Sequence, residues 1–360
     1  MKLEALRRYA VARTFWEPTD IVDAISRLGY LQADPIRAPA RAQDLILRHR
    51  VTDYRVDDLE RVYPTLPLIE DTIYNYGFFH RDTRTLLHPR RLSPRWQAFM
   101  ASHMDLRRKV LRYLNRDEFG HPRAIEAHCG IGARGNGWGG QTSATTMMLE
   151  GLHVEGKLHV SHRQGGIRVY SRVRPRPDVP RLTASMRADA LIKLIVNLYA
   201  PIPQKSLMPF IRGLGRQRPS ADYFSQFEKM VKRGELRREA IEGLLYVWPG
   251  DESIDGDSDD RVRLLAPFDP VVWDRTRFEH LWGWPYRFEA YVPAPKRKMG
   301  YYALPMIWRD DVIGWANVAV AGKRLNVETG FVKKPPRGSA TVFKSALTEE
   351  VDRLRWFLTS

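Results

Sequence analysis

The chain contains an internal repeat, and the repeat limits the folds open to it. Aligning Leu149 with Phe227 sets an offset of 78 residues. At that offset Glu150 meets Glu228, Leu152 meets Met230, Gly156 meets Gly234 and Leu158 meets Leu236. Further on, Gly165 meets Gly243, Val169 meets Val247 and Tyr170 meets Trp248, with no gap. In each copy the apolar residues recur at helical spacing up to a glycine and then alternate. The pattern predicts helix, glycine stop, strand, glycine turn, strand. A helix running into a two-stranded hairpin is the closing half of a winged helix, so the repeat predicts tandem winged helix-turn-helix modules.

In residues 101–174, Asp105–Leu114 reads as an opening helix and Gly135–Gly140 as a loop. Ser143 reads as the N-cap of a helix ending near Gly156. The wing is Leu158–Arg163, a Gln164-Gly165-Gly166 turn, and Ile167–Ser171. Arg163, Arg168, Arg172 and Arg174 make it basic. The Pro/Arg-rich run Val173–Arg181 is a linker candidate. Residues 182–250 give helices over Arg187–Tyr199, Lys205–Leu214 and Ala221–Arg233, followed by the second wing. Residues 1–100 predict a third, more diverged winged-helix-like module. Its helices are Leu3–Ala12, Thr19–Leu28, Pro39–Arg50 and Val56–Val62, with a hairpin around Leu68–Tyr74. Gly250–Asp260 reads as an acidic surface loop. Residues 261–360 turn to strands: Val262–Leu265, Arg287–Val292, Tyr301–Trp308, Val312–Val320 and Arg324–Thr329. The amphipathic run Ala346–Phe357 closes the chain. The expected class is α+β, with a β-rich, barrel-like C-terminal domain.

A net charge of +16 over 360 residues points to a polyanionic partner, here double-stranded DNA. No apolar run is long enough to span a bilayer and no signal-peptide pattern opens the chain, so no membrane association is expected. One cysteine, Cys129, excludes an internal disulfide framework, a thiolate metal site and an iron–sulfur cluster. A reducing cytoplasm is the expected setting, with association to the nucleoid. The ten histidines show no metal-ligand spacing and read as surface or nucleic-acid-facing residues. The glycines of Gly135–Gly140 do not follow a strand at phosphate-loop spacing. No metal, no cofactor and no obligate protein partner is expected.

The chemistry-bearing stretch is Leu28-Gly29-Tyr30-Leu31-Gln32-Ala33-Asp34-Pro35-Ile36-Arg37. An apolar helical run stops at Gly29. Gln32 and Asp34 follow two apart on an extended piece, where alternate side chains share a side. A basic helix carrying Arg37, Arg41, Arg48 and Arg50 is expected next. Carboxylate and carboxamide flanked by arginines form a water-activating pair suited to a polyanion. On spacing alone, Asp34 before Pro35 is more commonly a helix N-cap with proline at the first helical position. Asp269 and Asp274 are alternative acids, with turn capping as the favoured reading. Lys296, Arg297 and Lys298 read as a basic hairpin tip that touches phosphate or the minor groove. Tyr286, Tyr291, Tyr301 and Tyr302 read either as stacking residues or as packed strand residues.

The segment Leu28–Asp34 resembles the Gln–apolar–Asp motif of the winged-helix crosslink-repair DNA glycosylases of the AlkZ/YcaQ type. The likeness continues through Ala38-Pro39-Ala40-Arg41-Ala42 and returns at Leu264–Pro270 and Trp273-Asp274-Arg275. It is densest at Tyr286–Arg297 and Gly300–Pro305. The chain departs from the motif at Ala33, where the family has a larger aliphatic, and at Pro35. The resemblance implies a monofunctional glycosylase that excises N7-alkylguanine-type lesions, interstrand crosslinks included. It implies Asp34 as general base and Gln32 as the residue orienting the water. Arg37, Arg41, Arg163, Arg168, Lys296, Arg297, Lys298 and Tyr301 are the expected DNA contacts. A winged-helix transcription regulator is the rival reading, and a DNA-binding relative without activity is a second. A regulator needs neither the Gln32/Asp34 pair nor the basic segment Lys296–Lys298.

Overall fold

Both copies of the repeat fold as a helix running into an antiparallel hairpin. The computed structural model describes residues 2–129, 133–135, 141–174, 181–254, 256–322, 324–333 and 339–359. In the first copy, helix Ala144–Val154 precedes strands Leu158–Gln164 and Ile167–Arg172. In the second, helix Tyr223–Lys232 precedes Leu236–Ile241 and Leu244–Pro249. Gly156 and Gly234 stop the two helices at φ of +83° and +76°, a conformation open to glycine at no steric cost. Behind them, Lys157 and Glu235 N–H groups donate to the Leu152 and Met230 carbonyls at 2.8 and 3.0 Å. The hairpins close over Gly165-Gly166 and Glu242-Gly243, both pairs at positive φ, a turn whose twist matches that of its strands.

The gap-free pairing needs one correction. The first hairpin shifts register between Val160 and His162, so Ser161 is an extra, bulged residue. Beyond it Gly166, and not Gly165, stands where Gly243 stands. The Asn136–Gly140 part of the expected loop and residues 175–180 of the expected linker lie outside the described residues.

The chain divides into two units. One comprises Glu60–Leu191 and Ile211–Gln226. Its first hairpin pairs Leu68–Thr72 with Tyr76–His80. Helices Met104–Arg116, Pro122–Cys129 and Ala144–Val154 bury Leu106, Val110, Leu114, Ile125, Met148 and Leu152. Its centre also holds polar groups. Buried Asp71 accepts hydrogen bonds from His88 Nε2 at 2.6 Å and Arg90 at 2.8 Å. His153, equally buried, contacts the Glu70 carbonyl through Nε2 at 2.9 Å. The reading of all histidines as outward-facing fails at His88 and His153. A neutral imidazole with a hydrogen-bond partner is as much at home inside as out.

The other unit comprises Met1–Leu59, Ile192–Phe210 and Phe227–Ser360. Its largest sheet has four antiparallel strands in chain order: Val262–Leu264, Leu304–Trp308, Asp311–Ala321 and Arg324–Phe331. The first and last strands do not pair, so among the described residues the expected barrel does not close. The expected strand Arg287–Val292 is coil and turn. A helix, Arg275–Trp282, precedes it, in a stretch for which no element was expected. The C-terminal helix is longer than expected, Ala340–Leu358, and packs on strand Val262–Leu264.

The acidic stretch after Gly250 is tied in rather than free. Glu252 binds Arg13 at 2.7 Å and Tyr9 at 2.6 Å, Asp259 binds Arg263 at 2.7 Å, and Asp260 binds Arg309 at 2.6 Å. Asp269, fully buried, holds Arg50 through two bonds of 2.8 and 3.1 Å and caps helix Pro270–Trp273. Asp274 caps Arg275–Trp282 through the Arg277 N–H at 2.7 Å. Both alternative acids are therefore structural. Among the described residues, no helix is long and apolar enough to cross a membrane, and no cluster of histidine, cysteine and carboxylate residues could hold a metal.

Candidate active site and nucleic-acid surface

Helix Ile21–Leu28 delivers the motif. Asp20 caps its start through the Asp23 N–H at 2.9 Å, and Gly29 ends it at φ +76°. The extended segment that follows is only Leu31–Gln32. Asp34 is therefore aimed by a turn and not by strand alternation. Its Oδ1 accepts the Ile36 N–H at 2.9 Å, an Asx turn across Pro35, which has no N–H of its own. The Asp34 N–H donates to Gln43 Oε1 at 3.2 Å. Gln43 is buried on helix Ala42–Leu47.

No helix starts at Asp34, so the capping reading does not hold. The next helix begins eight positions later, with Arg41 at its N-cap position. Burial raises the Asp34 pKa, and the Ile36 bond only partly offsets it. No lysine or arginine pairs with Asp34 among the described residues. A half-buried carboxylate with a raised pKa and no cation is a better proton acceptor than one locked in an ion pair. Gln32 is buried and lines a small apolar crevice with Leu31, Tyr199, Phe268 and Pro270.

The basic helix expected after the motif is not one surface. The helix is short, Ala42–Leu47, and follows a loop. Arg37 is exposed and holds Asp57 through two 2.9 Å bonds. Arg41 is half-buried at the helix start. Arg48 is buried and pairs with Glu350, with a further bond to the Leu264 carbonyl at 3.0 Å. Arg50 is buried on Asp269. Arg48 and Arg50 are thus framework residues.

The segment 286–302 supplies the exposed chemistry of this unit. Lys296 closes the short 3-10 turn Ala294–Lys296, not a hairpin tip. Glu289 organises the loop. Its carboxylate accepts the N–H groups of Lys298, Met299 and Gly300 at 2.9, 2.8 and 3.2 Å. Those bonds hold its pKa down against burial. The same bonds tie Glu289 to a loop about ten residues on, and residues 287–292 form no ladder. Arg297 Nε donates to the Val292 carbonyl at 2.8 Å, and its guanidinium lies 5.0 Å from the Tyr301 ring centre. Lys296 and Lys298 are exposed, as are Tyr291 at 82% and Tyr301 at 43%. Tyr286 and Tyr302 are buried. Only Tyr291 and Tyr301 can stack on a base without rearrangement.

The structure relates this segment to Asp34. After burial, the Asp34 charge is the leading cause that pushes the Tyr302 hydroxyl well above its ordinary pKa. The arginines of hairpin Leu158–Arg172 lie in the other unit and are engaged there. Arg163 binds buried Glu70, with Nε to Oε1 at 3.0 Å. Arg168 stacks 4.3 Å from the Tyr76 ring centre and approaches Glu150 at 4.0 Å. Sequence reasoning missed Gln43 and Glu289. Neither carries a local signal: one looks like an ordinary helix residue, the other like an ordinary strand residue.

The AlkZ-like family, described as "DNA glycosylase AlkZ-like", matches residues 25–357. Among solved structures, the Streptomyces sahachiroi DNA glycosylase AlkZ aligns with 100% of this chain and 98% of its own. The TM-score is 0.62 and the identity 14%. At that identity the likeness shows a shared fold. The family match takes in Gln32, Asp34 and the whole of segment 286–302. The chain therefore belongs to the AlkZ-like DNA glycosylase family, DNA-repair enzymes acting on N-glycosyl bonds.

Proposed function

We propose that this glycosylase hydrolyses the N-glycosidic bond of N7-alkylguanine-type lesions in double-stranded DNA, interstrand crosslinks included. Asp34 is the general base and Gln32 orients the water. The observation that carries this reading is the state of Asp34: half-buried, raised in pKa by burial, and without a paired cation among the described residues. Its carboxylate takes the water's proton and faces the positive charge that develops on the sugar. An N7-alkylated guanine already carries positive charge and leaves as a neutral base, so no second carboxyl acid is needed, unlike in glycosidases acting on neutral sugars. No cofactor enters the scheme.

A crosslinked base is tethered to the opposite strand and cannot swing into a deep pocket. Asp34 on a partly exposed turn suits such a base. In this reading Arg37, Arg41, Lys296, Arg297 and Lys298 contact the DNA backbone and Tyr301 a base. Arg163 and Arg168, on the basic wing of residues 101–174, are read as further DNA contacts. The scaffold is read as winged-helix modules over 1–100, 101–174 and 182–250, with the β-rich region 261–360, acting in the cytoplasm at the nucleoid.

The test is direct. Wild-type protein is incubated with duplexes bearing N7-methylguanine, an N7-linked crosslink, or no lesion. Free alkylated guanine should appear from the first two only. The abasic strand should stay intact until heat or alkali, because the motif has no lysine to form a Schiff base. Tight binding without base release would refute the reading.

A further inference from the structure

Resting on that reading, we propose that Gln43 is a positioning residue for the base: its side-chain oxygen holds the backbone of Asp34 and so fixes where the carboxylate points. The contact is direct. The Asp34 N–H donates to Gln43 Oε1 at 3.2 Å. Because the partner is a donor, the carbonyl end of the amide must face it, and the orientation of the Gln43 side chain follows. Gln43 is 6% exposed, on helix Ala42–Leu47, whose residues are all buried. A buried amide costs free energy unless its polar atoms are used, and methionine would fill a similar space without that cost. Here the amide oxygen is used on the residue read as the base.

The helix is a fixed post. Asp44, next to Gln43, accepts a hydrogen bond from the Tyr54 hydroxyl at 2.7 Å, and the Tyr54 ring stacks on Phe357 at 6.3 Å. Arg50, whose guanidinium binds buried Asp269, also donates to the Ile46 carbonyl at 2.8 Å. The helix packs on Leu31–Gln32, and Ile46 lines the crevice that Gln32 lines. One short helix therefore touches both residues of the motif. Asp34, by contrast, stands on a turn. Its Oδ1 holds the Ile36 N–H at 2.9 Å, a bond that moves with the turn and cannot anchor it. The Gln43 bond reaches across nine residues and ties the turn to the post. It closes loop 35–42, which carries Arg37 and Arg41.

The role is geometric. General-base attack needs the carboxylate, the water and the anomeric carbon in register, and a displacement of about 1 Å can cost about a hundredfold in rate. Duplex binding does not depend on that register. A neutral amide also holds the turn without pairing the carboxylate with a cation, so Asp34 stays free to take the water's proton.

Gln43→Met and Gln43→Glu test this. Methionine is of similar length and removes the acceptor, whereas glutamate keeps an acceptor oxygen in either protonation state. Three quantities are measured: single-turnover release of N7-methylguanine per folded molecule, affinity for the lesion duplex, and Tm. Gln43→Met should slow release roughly ten- to a hundredfold, with affinity within about twofold and Tm little changed. Gln43→Glu should recover most of that loss. Release by Gln43→Met at the wild-type rate overturns the role of Gln43 and leaves the proposed function standing. Gln43→Glu as slow as Gln43→Met also overturns it, because the acceptor is then not what counts. So does slower release by Gln43→Met matched by lower Tm and weaker binding, since Gln43 is then a packing element. A wild-type protein that releases no alkylated guanine refutes the reaction itself, and this role with it.

Discussion

His153 is a buried imidazole with one backbone contact, and burial, its largest cause, pulls its pKa down to about 4. An unfolded histidine takes its proton near pH 6.5. Between those values the unfolded chain binds a proton that the native chain refuses. Stability must therefore fall as pH drops from about 6.5 to 4, by roughly 3 kcal/mol from this residue. His88, also lowered by burial, acts in the same direction. Asp71 extends the loss at lower pH. Against its burial, the His88 hydrogen bond and the Arg90 charge hold its carboxyl far below the usual range, so its contribution disappears as pH falls through the acid region. Denaturant unfolding at pH 7, 5.5 and 4.5 measures the slope. His153→Gln keeps a donor for the Glu70 carbonyl and removes the titration, so its slope should be shallower. An unchanged slope would assign the acid sensitivity elsewhere. Residue roles were only partly legible in the sequence. Gln32 and Asp34 stand close together in a recognisable motif, and Asp269 and Asp274 were readable as caps. Gln43 and Glu289 acquire meaning only from neighbours that folding brings to them.

The two copies of the repeat offer a matched experiment on one element. Gly156 and Gly234 hold the same left-handed position after the same helix, but their surroundings differ. A Cβ on Gly234 meets nothing within 4 Å, whereas one on Gly156 would lie 2.5 Å from His88 Nδ1. That ring cannot yield easily, because its Nε2 is fixed on buried Asp71. Gly234→Ala should cost about 1 kcal/mol, the backbone term alone. Gly156→Ala should cost roughly 2–3 kcal/mol, because the clash adds to it. Equal losses by thermal or denaturant unfolding would contradict the packing described around His88. The repeat was legible because a change from helical to alternating periodicity is strong over twenty residues. The bulge at Ser161 was not, since an extra residue in a hairpin leaves no mark on the apolar pattern until the strands pair. Helices Pro94–Ser102 and Pro122–Cys129 escaped notice through weak periodicity, although each opens with proline. Strand Arg287–Val292 was wrongly inferred from its alternation, because the fate of the Glu289 carboxylate is decided by a loop ten residues on.

At the scale of the molecule, the charge excess of +16 remains after the many internal ion pairs, and exposed basic groups such as Lys296 and Lys298 present it. Duplex affinity should fall linearly in log salt, by about 0.9 per phosphate contact. Affinity that stays flat from low to physiological salt would contradict a phosphate-tracking surface. The solved structure at 14% identity shares the fold and assigns no residue its role, so catalysis must be argued from this chain's own residues. The most direct measurement is single-turnover release of N7-methylguanine by Asp34→Asn. Asparagine keeps the Oδ1 that accepts the Ile36 N–H, so the turn, the fold and duplex binding should persist. It lacks the proton acceptor, so release should fall by roughly a hundredfold or more. Release at the wild-type rate from a folded, DNA-binding variant would show that Asp34 only shapes its turn, and the proposed mechanism would be wrong.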